Sequence, residues 1–143
     1  MFPENHAAVS PAEAGALNAL SLAFIGDAAW EILARGRAMK LCGGRVRDLH
    51  RETVALSNAA FQSAAARALL PLLTEEEAAV FRRGRNANAG HIPKNKTQAE
   101  YHFATALEAV FGYLYLTADQ ERMRLLFGAA SELYEAQKNE KKQ

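Results

Sequence analysis

The sequence predicts an all-α fold. Three observations carry that reading. Alanine is abundant and Leu, Glu, Arg and Gln recur, all of them good helix formers. No stretch alternates apolar and polar residues over strand length between turn signals. Capping boxes, in which a Ser or Thr is followed three residues later by Glu, mark several helix starts.

The elements follow in order. Ser10-Pro11-Ala12-Glu13 combines a Ser N-cap, a Pro in the first turn and a Glu at the third position, with Gly15 soon weakening the segment. A long first main helix is expected from about Asn18 to Lys40, stopped by Cys42-Gly43-Gly44. A second should cover Arg45 to about Leu70, ending before Pro71. Thr74-Glu75-Glu76-Glu77 opens a helix through Arg83 or beyond. Gly84 to Asn95, carrying Gly84, Gly90 and Pro93, reads as a loop. Thr97-Gln98-Ala99-Glu100 caps a long helix to about Leu116, and Asp119 caps a last one ending near Gln137. The terminal Lys138-Asn139-Glu140-Lys141-Lys142-Gln143 is expected to fray in solvent.

At 143 residues the chain suits one domain, taken as 1–143 with its core over about 17–137 and a flexible N-terminal segment. A single cysteine, Cys42, excludes an internal disulfide and a cysteine-based zinc site. The start MFPENHAAVSP lacks the basic and apolar regions of a signal peptide. The longest uncharged run, Thr53 to Ala66, is 14 residues, where a membrane helix needs about 20. The expectation is a cytoplasmic protein with no membrane partner.

Two carboxylates stand alone. From Ala14 to Trp30 the only charged residue is Asp27, within Leu22-Ala23-Phe24-Ile25-Gly26-Asp27-Ala28-Ala29-Trp30. From Tyr101 to Ala118 the only one is Glu108, within Ala106-Leu107-Glu108-Ala109-Val110-Phe111-Gly112. Their neighbours are residues that seek a core, and an unpaired buried carboxylate is costly. Such acids can pair with arginine, share a proton, or bind a hard divalent cation such as Mg²⁺; the plainer alternative is a salt bridge, or an Asp27 that merely reaches the surface. Gly26 and Gly112 favour a site, because glycine in a helix interior permits close backbone approach. Glu31 and Arg35 follow Asp27 at helical spacing. Glu31–Arg35 is most simply a surface ion pair, and support of the site from outside its ligand set is the alternative.

Basic charge is concentrated. Between Glu77 and Glu100 there is no acid, but Arg82, Arg83, Arg85, Lys94 and Lys96, with His91 nearby. The rest of the chain has twelve basic against sixteen acidic residues, a net of −4. A basic segment on a mildly acidic body focuses anion binding. Arginine forks suit phosphate oxygens, and Asn86, Asn88 and Asn95 add hydrogen-bonding groups. A solvated loop flanked by basic helix ends is the plainer alternative. No aromatic residue lies from Arg82 to Glu100, which favours a duplex backbone over stacking on unpaired bases.

The segments Phe24-Ile25-Gly26-Asp27-Ala28 and Leu107-Glu108-Ala109-Val110-Phe111-Gly112-Tyr113-Leu114 resemble the two halves of the ribonuclease III catalytic domain. Asp48-Leu49-His50, Thr74-Glu75-Glu76-Glu77, Arg82-Arg83-Gly84-Arg85-Asn86-Ala87, Pro93-Lys94-Asn95 and Thr105-Ala106-Leu107-Glu108-Ala109 are similar to motifs of its mini-ribonuclease III subfamily. The resemblance spans roughly Leu17 to Leu126. It implies an all-helical, homodimeric endonuclease that hydrolyses double-stranded RNA and leaves 5′-phosphates. Asp27 and Glu108 would then be both catalytic and metal-binding, with Mg²⁺ as cofactor and Mn²⁺ as a candidate substitute. The substrate implied is the precursor of large-subunit (23S) ribosomal RNA, with a ribosomal protein as a candidate presenter. Arg82, Arg83, Arg85, Asn86, Lys94, Asn95 and Lys96 are the RNA-binding candidates. Full-length ribonuclease III carries further acids where this chain has Ala23 and Thr105, so water or backbone must complete more of the metal shell. The competing expectation is a catalytically silent RNA-binding module of the same fold. Phe103, Phe111 and Trp30 are open between core and partner surface.

Overall fold

The computed structural model describes residues 9–87, 90, 94 and 97–142. The element order is α1 (Pro11–Gly15), α2 (Ala19–Cys42), α3 (Val46–Ser57), α4 (Ala59–Leu69), a 3₁₀ turn (Leu70–Leu72), α5 (Glu75–Asn86), α6 (Gln98–Leu116) and α7 (Gln120–Lys141). No strand occurs among the described residues, so the all-α class holds. None of these helices is long and apolar enough to cross a membrane.

The expected caps form. Ser10 accepts from the Glu13 N–H, Asn18 from Leu20 and Asp119 from Arg122. Thr74 with Glu77, and Thr97 with Glu100, close reciprocal boxes. Gly43 ends α2 in the left-handed region at φ 59°, its N–H donating to the Met39 carbonyl.

Four boundaries differ from expectation. The single helix expected over Arg45–Leu70 breaks at Asn58. There one amide serves both ends: Oδ1 accepts from the Phe61 N–H at 2.8 Å, and Nδ2 donates to the carbonyls of Val54 and Ala55 at 2.9 and 3.1 Å. Helix α5 runs through Gly84 to Asn86, so the expected loop starts later; Gly84 is retained for packing, since a Cβ there would lie 2.9 Å from the Cα of Ala106. Helix α7 continues through most of the supposed tail to Lys141. At the other end the core begins before residue 17: Ala14 is fully buried, and the Val9 N–H donates to the Leu116 carbonyl at 2.8 Å. Cys42, expected in a loop, is the buried last residue of α2.

Helix α6 is the axis of the fold. From Ala104 to Leu114 every residue but Glu108 is buried, as expected of a helix enclosed on all sides. Helices α2, α4 and α5 pack around it. The α2–α6 crossing is backbone on backbone. A Cβ on Gly26 would sit 1.6 Å from the Glu108 carbonyl oxygen, and one on Gly112 would sit 1.9 Å from that of Leu22. Behind the crossing, Trp30 meets the rings of Phe111 and Phe127 edge-on at 4.9 and 5.0 Å, and its Nε1 donates to the Leu56 carbonyl at 2.8 Å. Trp30 and Phe111 therefore belong to the core. Phe103 is half-buried beside Phe81, with the Arg67 guanidinium 4.0 Å from its ring centre.

One buried charge is satisfied within the fold. Glu77 is only 3% exposed. Its carboxylate accepts from the Thr74 N–H at 3.0 Å and from Nε and Nη2 of Arg122, each at 2.9 Å. The Glu77 hydrogen bond, followed by its charge, holds the Arg122 pKa above the usual value against the opposing effect of burial.

Candidate active site

The crossing at Gly26 and Gly112 determines where the two lone acids stand. Asp27 is the residue after Gly26 on α2, and Glu108 supplies the carbonyl against which Gly26 packs. Both open onto one cleft of about 490 Å³. Helix α2 contributes Leu20, Ala23, Phe24, Ile25, Asp27, Ala28 and Glu31; helix α6 contributes Tyr101, Thr105 and Glu108.

Asp27 is exposed, as the plainer alternative has it, and is not embedded in a core among its apolar neighbours. Those neighbours divide between two faces. Leu22, Ala23, Gly26, Ala29 and Trp30 turn inward, while Phe24, 82% exposed, and Ala28 turn outward beside Asp27. Among the described residues no cation pairs with Asp27, so arginine neutralisation does not account for it. Glu108 is half-buried. Glu31 forms the expected ion pair, its Oε2 3.0 Å from Nη2 of Arg35, while also lining the cleft.

The donor set suits a hard cation. Among the described residues, the ionisable groups on the cleft wall are carboxylates and the Tyr101 phenol, with neither histidine nor cysteine. Among the described residues no group of three or more His, Cys, Asp or Glu is gathered tightly enough to hold a metal. A cation here would take Asp27 and Glu108 and keep several waters, which fits Mg²⁺. Thr105 brings no charge in place of a carboxylate; its hydroxyl donates to the Tyr101 carbonyl at 2.8 Å.

The basic candidates separate into different environments. Arg82 and Asn86 are exposed on the last turns of α5, Arg85 is half-buried there, and Lys94 is exposed. Arg83 is tied down: it donates to the carbonyls of Leu17 at 2.9 Å and Gly15 at 2.5 Å, joining α5 to the end of α1. Asn88, His91, Asn95 and Lys96 lie outside the described residues. Tyr101 and Phe24 were not singled out from sequence as cleft residues. The signal for Tyr101 was present, since 101, 105 and 108 share one face of a helix.

The ribonuclease III domain model matches residues 20–119. The chain is 42% identical over 116 residues to mini-ribonuclease 3 of Symbiobacterium thermophilum, covering 81% of this chain and 89% of that one. It is 41% identical over 124 residues to mini-ribonuclease 3 of Gloeobacter violaceus, covering 87% and 90%. A crystal structure of a protein from Fusobacterium nucleatum superposes with a TM-score of 0.73 at 33% identity, over 78% of this chain and 91% of that one. With both acid-bearing helices inside the matched region, the chain belongs to the ribonuclease III domain family, in the branch formed by the mini-ribonuclease 3 proteins.

Proposed function

We propose that this endoribonuclease hydrolyses double-stranded RNA at the Asp27–Glu108 cleft with Mg²⁺ as its cofactor. The observation that carries the reading is the glycine-on-backbone crossing, which turns two acids 81 positions apart in the chain, 27 and 108, onto one cleft. Asp27 and Glu108 would hold the cation. When bound, it supplies Lewis acidity toward a phosphate oxygen and lowers the pKa of a water. The two carboxylates fix the direction from which water attacks in line, and the 3′-oxygen departs to leave a 5′-phosphate. Exposed Arg82, Asn86 and Lys94, with Asn95 and Lys96, hold the duplex backbone, so affinity falls steeply with salt. Arg85 adds to them from a half-buried position. Arg83 serves from behind, by fixing α5.

The working form proposed is a homodimer in the cytoplasm, its two sites facing the two strands. Exposed Phe24 beside Asp27 supports this, because an outward aromatic with small apolar neighbours is a surface to be covered. The substrate proposed is precursor 23S ribosomal RNA, presented by a ribosomal protein. Incubation of a labelled RNA duplex with Mg²⁺, with Mn²⁺ and with EDTA tests the chemistry. Cleavage should need the cation, and Asp27→Asn should abolish it while duplex binding persists. Equal cleavage by wild type and Asp27→Asn would remove Asp27 from the reaction.

A further inference from the structure

Glu31 stands at the same cleft without a role in the scheme above. It follows Asp27 by one helical turn, which places their Cβ atoms about 5–6 Å apart on one face of α2. Side chains on a helix lean toward its N-terminus, so Glu31 leans over the turn that carries Asp27, and Arg35 leans over Glu31. Among the described wall residues, Ala23 and Thr105 bring no charge. Arg35 engages one oxygen of Glu31, Oε2, at 3.0 Å. The two side chains are 66% and 44% exposed, and an ion pair so open to water contributes little to stability. An acid kept at the mouth of an anionic cleft by so weak a partner calls for another explanation.

We propose that Glu31 is the third acid of the cleft, acting through water on the hydrated cation held by Asp27 and Glu108. This rests on the metal reading above. Direct ligation is not the form it takes, since no three acids are gathered at metal-binding range among the described residues. Glu31 is thus a positioning residue: it accepts hydrogen bonds from the waters that complete the cation's shell and adds negative charge to the cleft. Removal of such an outer partner typically weakens metal binding about 10- to 100-fold. An exposed site puts Glu31 at the lower end, about tenfold.

The test is cation binding without RNA. Mn²⁺ is titrated into the full chain and the free ion is counted by electron paramagnetic resonance, with Mg²⁺ added as competitor. Glu31→Gln should weaken binding about tenfold. Arg35→Gln breaks the same ion pair but leaves the acid, and should not weaken binding. Equal weakening by both variants would reduce Glu31 to half of a structural pair and overturn the proposal. Unchanged affinity in Glu31→Gln would do the same. Asp27→Asn separates the two levels: if it also binds Mn²⁺ as wild type does, the metal reading itself fails. If Asp27→Asn loses the ion and Glu31→Gln does not, only the role of Glu31 falls.

Discussion

Replacing Gly26 with alanine adds one methyl group at the point where the site is assembled. The added Cβ would lie 1.6 Å from the Glu108 carbonyl oxygen, 2.6 Å from its carbon and 2.7 Å from the Gly112 nitrogen. All three atoms are backbone, so no rotamer change relieves the contact. A carbon approaches a carbonyl oxygen to about 3.3 Å, so α2 and α6 must part by roughly 1.7 Å. Overpacking of this kind costs about 1–3 kcal/mol or more, and a backbone-on-backbone case belongs at the top of that range. The better helix propensity of alanine returns about 1 kcal/mol. A net loss of about 2–3 kcal/mol should lower Tm by roughly 4–12 °C in a domain of this size. Activity should fall further than stability, because a misplacement of about 1 Å between reacting groups can cost about 100-fold. The assays are thermal unfolding by circular dichroism at one fixed protein concentration, and duplex cleavage well below Tm. Gly128→Ala is the control: it is exposed in α7 with nothing within 4 Å of its added methyl, and should stabilise slightly. A Gly26→Ala protein with wild-type Tm and wild-type cleavage would refute the crossing as the device that builds the site.

Arg82→Ala should reduce the slope of log affinity against log salt by about 1, whereas Arg83→Ala, which loses two carbonyl ties, should lower Tm and leave that slope nearly unchanged. Filter binding across a salt series checks both, and a matching slope change in the two variants would contradict the division. Arg122→Leu leaves Glu77 buried without its partner and should cost about 3–5 kcal/mol in urea unfolding; a loss below about 1 kcal/mol would show that the pair does not hold α7 to α5. Burial first, then the charges of Glu76, Glu77 and Asp119, raise the Tyr113 pKa above its usual 10.0. The folded state therefore keeps its phenol proton longer than the unfolded chain does. The resulting stability is complete below about pH 10 and is lost as pH rises through the folded value. Tyr113→Phe should remove that part of the alkaline decline, so that the wild-type Tm falls relative to the variant's as pH rises above about 10. Phe24→Lys should leave the protomer folded, its side chain being 82% exposed, but give a monomer mass in sedimentation. An unchanged mass, dimer or monomer, in both proteins would remove Phe24 from any interface.

Local signals were readable where a capping residue opens a helix after a break in the helix-forming pattern. Ser10, Asn18, Thr74, Thr97 and Asp119 each open the helix their side chains can cap. Asn58 was missed because it lies in an uninterrupted helix-forming stretch, and only the bonds on both sides of it show that it ends one helix and starts another. Gly84 was misread as a loop residue for the opposite reason. Its propensity argues against helix, but its contact with Ala106 outweighs that cost. For the site, the isolation of Asp27 and Glu108 in apolar stretches drew attention to them, and the family resemblance supplied their roles. That isolation left open whether Asp27 faces outward, because apolar residues surround it in sequence on both faces of α2. Burial is decided by α6, which covers one of those faces and leaves the other open.

That division of α2 ties stability to chemistry. Its inward face must be small where α6 crosses and large just beyond, hence Gly26 followed one turn later by Trp30. This spacing leaves position 27 at the edge of the contact, where a side chain is held by a rigid backbone yet remains open to solvent. An acid one residue earlier would collide with the Glu108 carbonyl, and one three residues later would be buried at the Trp30 position without a partner. The inward half of the apolar surroundings that made Asp27 conspicuous in the sequence is thus the packing that holds it in place.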